Sequence, residues 1–233
     1  MKSKRNDRDY VRVIYNDQTR PLTEYPEKLT SYLWTRYNLN KGCRLLDIGC
    51  GRGEFTKGFI NAGAEGYAVD QSYAILDYCA DAFFKEVNLE TDQIPYQDNF
   101  FDVVYSKSVI EHFYYPEKFF AEAFRVLKPG GLIITLCPAW EFNYKIYFED
   151  YSHRTPFMLQ SLRDIQVING FDDVEVEFFR QLPSTWDPFL KYLAVPLSKI
   201  TQILIPKFFK NKYKWVRFSK EIMLLSSSIK PKI

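Results

Sequence analysis

At 233 residues the chain is long enough to bury one sizeable core, and a single domain spanning 1–233 is the simplest reading. With 46% apolar and 26% charged residues, its composition excludes wholesale disorder. A net charge of +2 argues neither for nor against nucleic acid as a partner, so the placement of charge matters more than its sum.

In chain order, Met1–Asp9 is charged and reads as a frayed start, and residues 1–41 read as an N-terminal cap segment. Pro21–Pro26 reads as a turn. The spacing of Leu29, Leu33, Trp34 and Tyr37 predicts a helix over Glu27–Tyr37. Strands are then expected at Arg44–Gly49, Gly66–Asp70, Lys85–Asn88, Phe101–Ser106 and Leu132–Cys137. They alternate with helices at Glu54–Ala62, Tyr73–Ala82 and Glu117–Leu127, an order that argues for a parallel sheet with helices on both faces. Lys128-Pro129-Gly130-Gly131 reads as a helix stop and tight turn. A helix Phe157–Asn169, with Thr155 as N-cap and Pro156 at its first position, precedes strands Val174–Gln181 and Glu221–Ile229.

The first strand runs into Leu45-Leu46-Asp47-Ile48-Gly49-Cys50-Gly51-Arg52-Gly53. Glycines at 49, 51 and 53 let the backbone turn sharply and approach a ligand closely at a helix N-terminus. Asp47 at the strand end suits a cationic ligand better than a pyrophosphate. Asp70 ends the next strand, where a carboxylate accepts hydrogen bonds from ribose hydroxyls or else caps the following helix.

These segments, with Val69-Asp70, Ile94–Ser106, Ile110–Phe113 and Leu127–Gly131, resemble the class I S-adenosylmethionine-dependent methyltransferases related to ubiquinone-biosynthesis and sugar methyltransferases. The resemblance spans about residues 43–137 in the family's order and spacing. It implies an α/β, Rossmann-like seven-stranded sheet of order 3-2-1-4-5-7-6 with strand 7 antiparallel. S-adenosylmethionine is the implied cofactor. Asp47 and Gly49 would hold its methionine amino group, and Gly51 and Gly53 would give it room. Asp70 would take the ribose, Gln71 would lie beside the adenine, Asn88 and Leu89 would contact the adenine, and Ser106 would lie near the sulfonium. Asn88 departs from the family's common aspartate, but its amide oxygen still accepts a bond.

The acceptor side is less explicit. His112 and His153 are the chain's two histidines, and each is a candidate proton acceptor. Glu111 and Arg154 stand beside them as candidate substrate contacts, with packing and loop bracing as their plainer roles. Cys43, Cys50, Cys79 and Cys137 lack metal-ligand spacing, and no Asp/Glu/His cluster is visible along the chain, so no metal is expected. Buried reduced thiols, a polar Met1–Arg12 and the lack of a long apolar run lead to the expectation of a cytoplasmic protein.

Residues 183–220, between the last two strands, carry eight Lys or Arg against Asp187 alone, interleaved with aromatics and long aliphatics. Leu197, Ile200 and Leu204 share one helical face. This reads either as an element lying on the inner face of a membrane or as a packed subdomain with solvated lysines. Nucleic acid is disfavoured. The expected activity is O-methylation of a sugar or lipid-linked sugar hydroxyl in surface polysaccharide or glycolipid assembly. A methyltransferase for a prenylated ring or other lipid, and a cofactor-binding subunit without turnover, are the alternatives.

Overall fold

The computed structural model describes residues 11, 13, 21–205 and 213–232. The charged start read at Met1–Asp9 and the insertion residues Lys207, Lys210 and Lys212 lie outside them.

Helix α1, Tyr25–Arg36, carries a proline in its first turn, where a missing N–H costs nothing, and buries Leu29, Thr30 and Leu33. Next come β1 (Arg44–Ile48), α2 (Glu54–Ala62), β2 (Glu65–Asp70), the single turn α3 (Ile75–Tyr78), β3 (Phe83–Glu86) and β4 (Phe101–Lys107). After these come α4 (Pro116–Val126), β5 (Leu127–Pro138), the short α5 (Trp140–Asn143), α6 (Leu159–Ile168) and β6 (Asp172–Phe179). The insertion supplies α7 (Lys191–Leu204) and α8 (Lys214–Lys220), and β7 (Met223–Ile229) completes the sheet.

Seven strands form one sheet in the order β3-β2-β1-β4-β5-β7-β6, as expected. β1 lies parallel to β2 and β4, whereas β7 runs antiparallel to both β5 and β6. The central strands are buried on both faces, which explains their unbroken apolar runs. Leu46, Ile48, Val104 and Ile133 pack with Phe119, Phe120 and Ala123 of α4 and Leu162 of α6. On the opposite face Leu45, Val103, Tyr105 and Ile134 pack with Leu29 and Leu33 of α1 and Phe59 of α2.

Several boundaries differ from the sequence reading. Helix α3 is one turn, not Tyr73–Ala82: Cys79 leaves helical geometry at φ −141°, ψ 74°. β3 starts two residues early, at Phe83. Lys128–Gly131 lies inside β5, as an irregularity in the pairing between Phe101/Leu127 and Val103/Leu132. Thr155 does not cap α6. Its hydroxyl donates to Phe113 O at 2.7 Å, and Phe157 bridges Ala139, so the chain stays extended until Met158.

Helix α7 is turned the unusual way round. It buries Ala194, Ser198 and Thr201. Its long aliphatics, Leu193, Leu197, Ile200, Ile203 and Leu204, are all more than half exposed. The buried polar face is held by the Arg180 guanidinium, which donates to Ser198 Oγ at 2.9 Å and Gln202 Oε1 at 3.0 Å. Lys220 does not join a solvated basic edge: it is buried, and its ammonium donates to Gln202 O at 2.7 Å. Tyr25 of α1 stacks on Phe218 of α8 and also meets Trp186 and Phe55, so the insertion and the N-terminal helix converge beside the glycine loop.

Candidate active site

The glycine loop turns at the C-terminal end of β1, where parallel sheets of this kind bind ligands. Gly49, Gly51 and Gly53 have φ of +76°, +54° and +76°, a region that L side chains rarely enter. Backbone bonds fix the loop: Gly49 N–H donates to Val69 O at 2.8 Å, and Gly53 N–H to Cys50 O at 2.8 Å. A methyl group added at Gly49 would lie 2.3 Å from Val109 Cγ2, whereas one added at Gly51 would meet nothing within 4 Å. That side of Gly51 is open space, and it fits the close approach that the resemblance requires of S-adenosylmethionine.

Asp47 is fully buried at the end of β1, and Thr56 Oγ1 donates to its Oδ2 at 2.6 Å. Burial pushes the carboxyl up to about 7; the nearby Asp70 adds to this and the Thr56 bond opposes it. A carboxyl in that condition is matched by a cation arriving beside it. Asp70 lies half-buried at the end of β2; its two oxygens accept from Gly51 N–H and Ser72 N–H, each at 2.8 Å. It therefore braces the loop.

The remaining cofactor candidates are unequal. Gln71 is exposed next to Asp70. Asn88 Oδ1 accepts from Glu90 N–H at 3.1 Å, so the side chain shapes its own loop. Leu89 packs against the main core. Ser106 is buried, and its hydroxyl donates to Ile48 O at 2.9 Å, tying β4 to β1 rather than reaching outward.

After β4 the chain makes a single 3-10 turn, Ile110–His112. The carbonyl of Glu111 accepts from the N–H groups of Arg154 (2.7 Å) and Thr155 (3.1 Å). The loop after β5 is thereby pinned to the turn after β4, and the two histidines meet. Their ring centroids are 4.9 Å apart.

His153 Nδ1 sits 2.6 Å from Tyr147 O, so it donates and leaves Nε2 unprotonated. Ser152 Oγ donates to Asp150 Oδ1 at 2.5 Å and lies 3.0 Å from His112 Nδ1. With its proton directed at Asp150, that hydroxyl accepts from His112, which fixes the same tautomer. Burial is the main effect holding both imidazoles below their usual pKa, so both are neutral at pH 7.

Glu111 is fully buried, and neither carboxylate oxygen makes a hydrogen bond of full geometry among the described residues, although the backbone at Glu111 and Val109 acts on it. Burial pushes it up to about 8. Its carboxylate and the two imidazoles each place one atom within 4.8 Å of the others. The sequence showed no such cluster because 40 residues separate His112 from its hydrogen-bond partner Ser152.

Arg154 is turned to bracing: its guanidinium donates to Tyr151 O and His153 O and lies over the Tyr114 ring at 5.1 Å. Tyr147, Asp150 and Ser152, which orient the histidines, were missed. Nothing local marks them, since their role exists only once the two loops meet.

Residues 46–135 match the family profile described as Methyltransferase domain. An uncharacterised methyltransferase of Schizosaccharomyces pombe is 32% identical over 152 residues, covering 58% of this chain and 52% of the yeast protein. The ubiquinone biosynthesis O-methyltransferase of Maricaulis maris is 37% identical over 102 residues, 40% of each chain. The chain thus spans about half or less of the length of these relatives. Among solved structures, phosphoethanolamine N-methyltransferase 2 of Haemonchus contortus, bound to S-adenosylhomocysteine, shares the fold at TM-score 0.66 and 20% identity. That match covers 95% of this chain and 59% of the other. A methyltransferase of Haloferax volcanii, in complex with the activator Trm112, shares it at TM-score 0.69 and 16% identity, covering 96% and 95%. Glycine loop and profile agree: residues 46–135 match a methyltransferase domain, set in a seven-stranded sheet of the order that the resemblance implies.

Proposed function

We propose that the protein methylates a hydroxyl of a sugar or lipid-linked sugar presented at a membrane surface, in the assembly of surface polysaccharide or glycolipid. The relatives' names cover oxygen, nitrogen and carbon acceptors, so the acceptor atom is argued from this chain's own side chains. The observation that carries the reading is the pair of neutral histidines meeting at the ends of β4 and β5.

S-adenosylmethionine supplies a methyl carbon already activated on a sulfonium. A hydroxyl oxygen is a poor nucleophile until its proton is taken, and an unprotonated Nε2 is suited to take it. Around the histidine pair Tyr114, Tyr144, Phe148 and Tyr151 are exposed and Trp140 is half-buried, linked through ring contacts to Tyr147 and His153. Flat apolar faces beside a polar centre suit a sugar ring, whose C–H face packs on aromatics. The outward aliphatic face of α7 supports a membrane-held acceptor.

The test is methyl transfer by the full chain from labelled cofactor to membrane lipid extract and to free sugars. Label is expected in lipid-linked material and released with the sugar by mild acid. His153→Ala is expected to lower turnover by about 10²–10⁴ while cofactor affinity stays unchanged. Label retained on the prenyl or ring portion would favour the lipid alternative, and label on amines would sink the reading.

A further inference from the structure

We infer that Glu111, His112 and His153 form a binding site for one divalent ion of the zinc class, held by a carboxylate oxygen and two imidazole nitrogens. The observation that points to a ligand is Glu111 itself. A carboxylate with no exposed surface normally has its oxygens bonded, because removing them from water is otherwise costly. Here neither oxygen makes a hydrogen bond of full geometry among the described residues; the backbone at Glu111 and Val109 and the Lys107 charge offset its burial only in part, and one atom of each of two imidazoles lies within 4.8 Å.

The imidazoles are set as ligands should be. A histidine that binds a metal through Nε2 donates its Nδ1–H to a carbonyl, hydroxyl or carboxylate, which fixes the ring. His153 does so to Tyr147 O, and His112 to Ser152 Oγ, which is held in turn by Asp150 Oδ1. Both Nε2 lone pairs are thereby defined by groups behind the rings.

The ligand types also select the ion. Two imidazoles and one carboxylate suit zinc, cobalt or iron, whereas magnesium prefers an all-oxygen shell. At roughly 2.1 Å from each ligand, an ion would draw the three atoms to roughly 3.4 Å from one another. Three protein ligands leave a position open, as in catalytic rather than structural sites. An acceptor hydroxyl at that position would lose its proton more readily than in water, passing it to solvent at the open position because imidazoles engaged as ligands cannot take it. This use of the ion rests on the hydroxyl reading above; the binding itself does not.

The experiment uses the full chain, freed of metal by a chelator. Zinc is titrated by calorimetry and cobalt by visible absorption. One ion per chain is expected, with intense ligand-field bands of a four-coordinate cobalt centre that zinc abolishes. Glu111→Gln and His153→Ala should each weaken binding by at least about 10–100-fold, the loss typical even of groups behind a ligand. Ser152→Ala, at a residue that orients His112, should weaken it by about tenfold, and it tests the site should the other variants fail to fold. No binding, affinity indifferent to all three substitutions, or thiolate charge-transfer bands from the four buried cysteines would overturn the inference. If no ion binds and His153→Ala still slows methylation of a hydroxyl, the metal site fails and the hydroxyl reading stands. If an ion binds and hydroxyls are not methylated, the reverse holds.

Discussion

Gly49 and Gly51 have the same kind of backbone conformation and different surroundings. Alanine at 51 meets no protein atom, so its cost to folding is limited to the left-handed backbone, about 1–2 kcal/mol. Its methyl group would occupy the open space beside the loop instead. Gly51→Ala is therefore expected to fold, to melt a few degrees lower and to bind S-adenosylmethionine at least about tenfold more weakly, about 1.4 kcal/mol. Alanine at 49 would push on Val109, which directly precedes the turn carrying Glu111 and His112. Gly49→Ala is expected to depress turnover as well as affinity. Calorimetry, melting curves and single-turnover rates on the two variants check this. Equal cofactor affinity in Gly51→Ala and the parent would mean that the open side of Gly51 does not face the cofactor.

At the scale of elements, α7 offers the sharpest test. Its buried side is small and polar, so its outward leucines and isoleucines contribute little to the fold. A Leu or Ile side chain gains about 1.5–3 kcal/mol on leaving water. Leu193→Glu with Ile203→Glu should abolish sedimentation with vesicles containing anionic lipid while leaving the melting temperature nearly unchanged. A large drop in melting temperature would instead make that face part of a core.

The succession of strands and the glycine loop were legible in the sequence because both rest on local signals, apolar runs of strand length and glycines at a strand end, whereas the strand order came from the family resemblance alone. What escaped the sequence depends on distant partners. Thr155 and Pro156 look like a helix start, but Phe113 O captures the threonine hydroxyl. Ser106 looked like a cofactor contact and is spent on Ile48 O. The meeting of His112 with His153 comes from two loops sharing the Glu111 carbonyl, which no spacing announces. The orientation of α7 was half visible: the aliphatic stripe was read correctly, but nothing in it told inward from outward.

For the molecule as a whole, Asp47 couples stability to pH. Its folded pKa, about 7, lies above the usual unfolded value near 4. Below about pH 4 both states hold the proton and the residue costs nothing. Between about 4 and 7 the unfolded chain ionises first, so stability falls as pH rises, and above 7 the penalty is complete. Its size is on the order of 2–4 kcal/mol. Asp47→Asn keeps an acceptor for Thr56 and removes the titration. It should raise the melting temperature of the cofactor-free protein at pH 8 and hardly change it at pH 4, while weakening cofactor binding. An equal shift at both pH values would remove Asp47 from this role.

The position of β7 also bears on how the chain is made. β7 is later in sequence than β6, yet it lies between β5 and β6 and is the strand to which β6 bonds. During synthesis the five parallel strands can assemble as they emerge, but β6 has to wait with its backbone groups unpaired. The whole insertion, α7 included, leaves the ribosome during that wait. The aliphatic face of α7 is therefore made before the sheet has closed, and β7 completes the sheet only after that face exists.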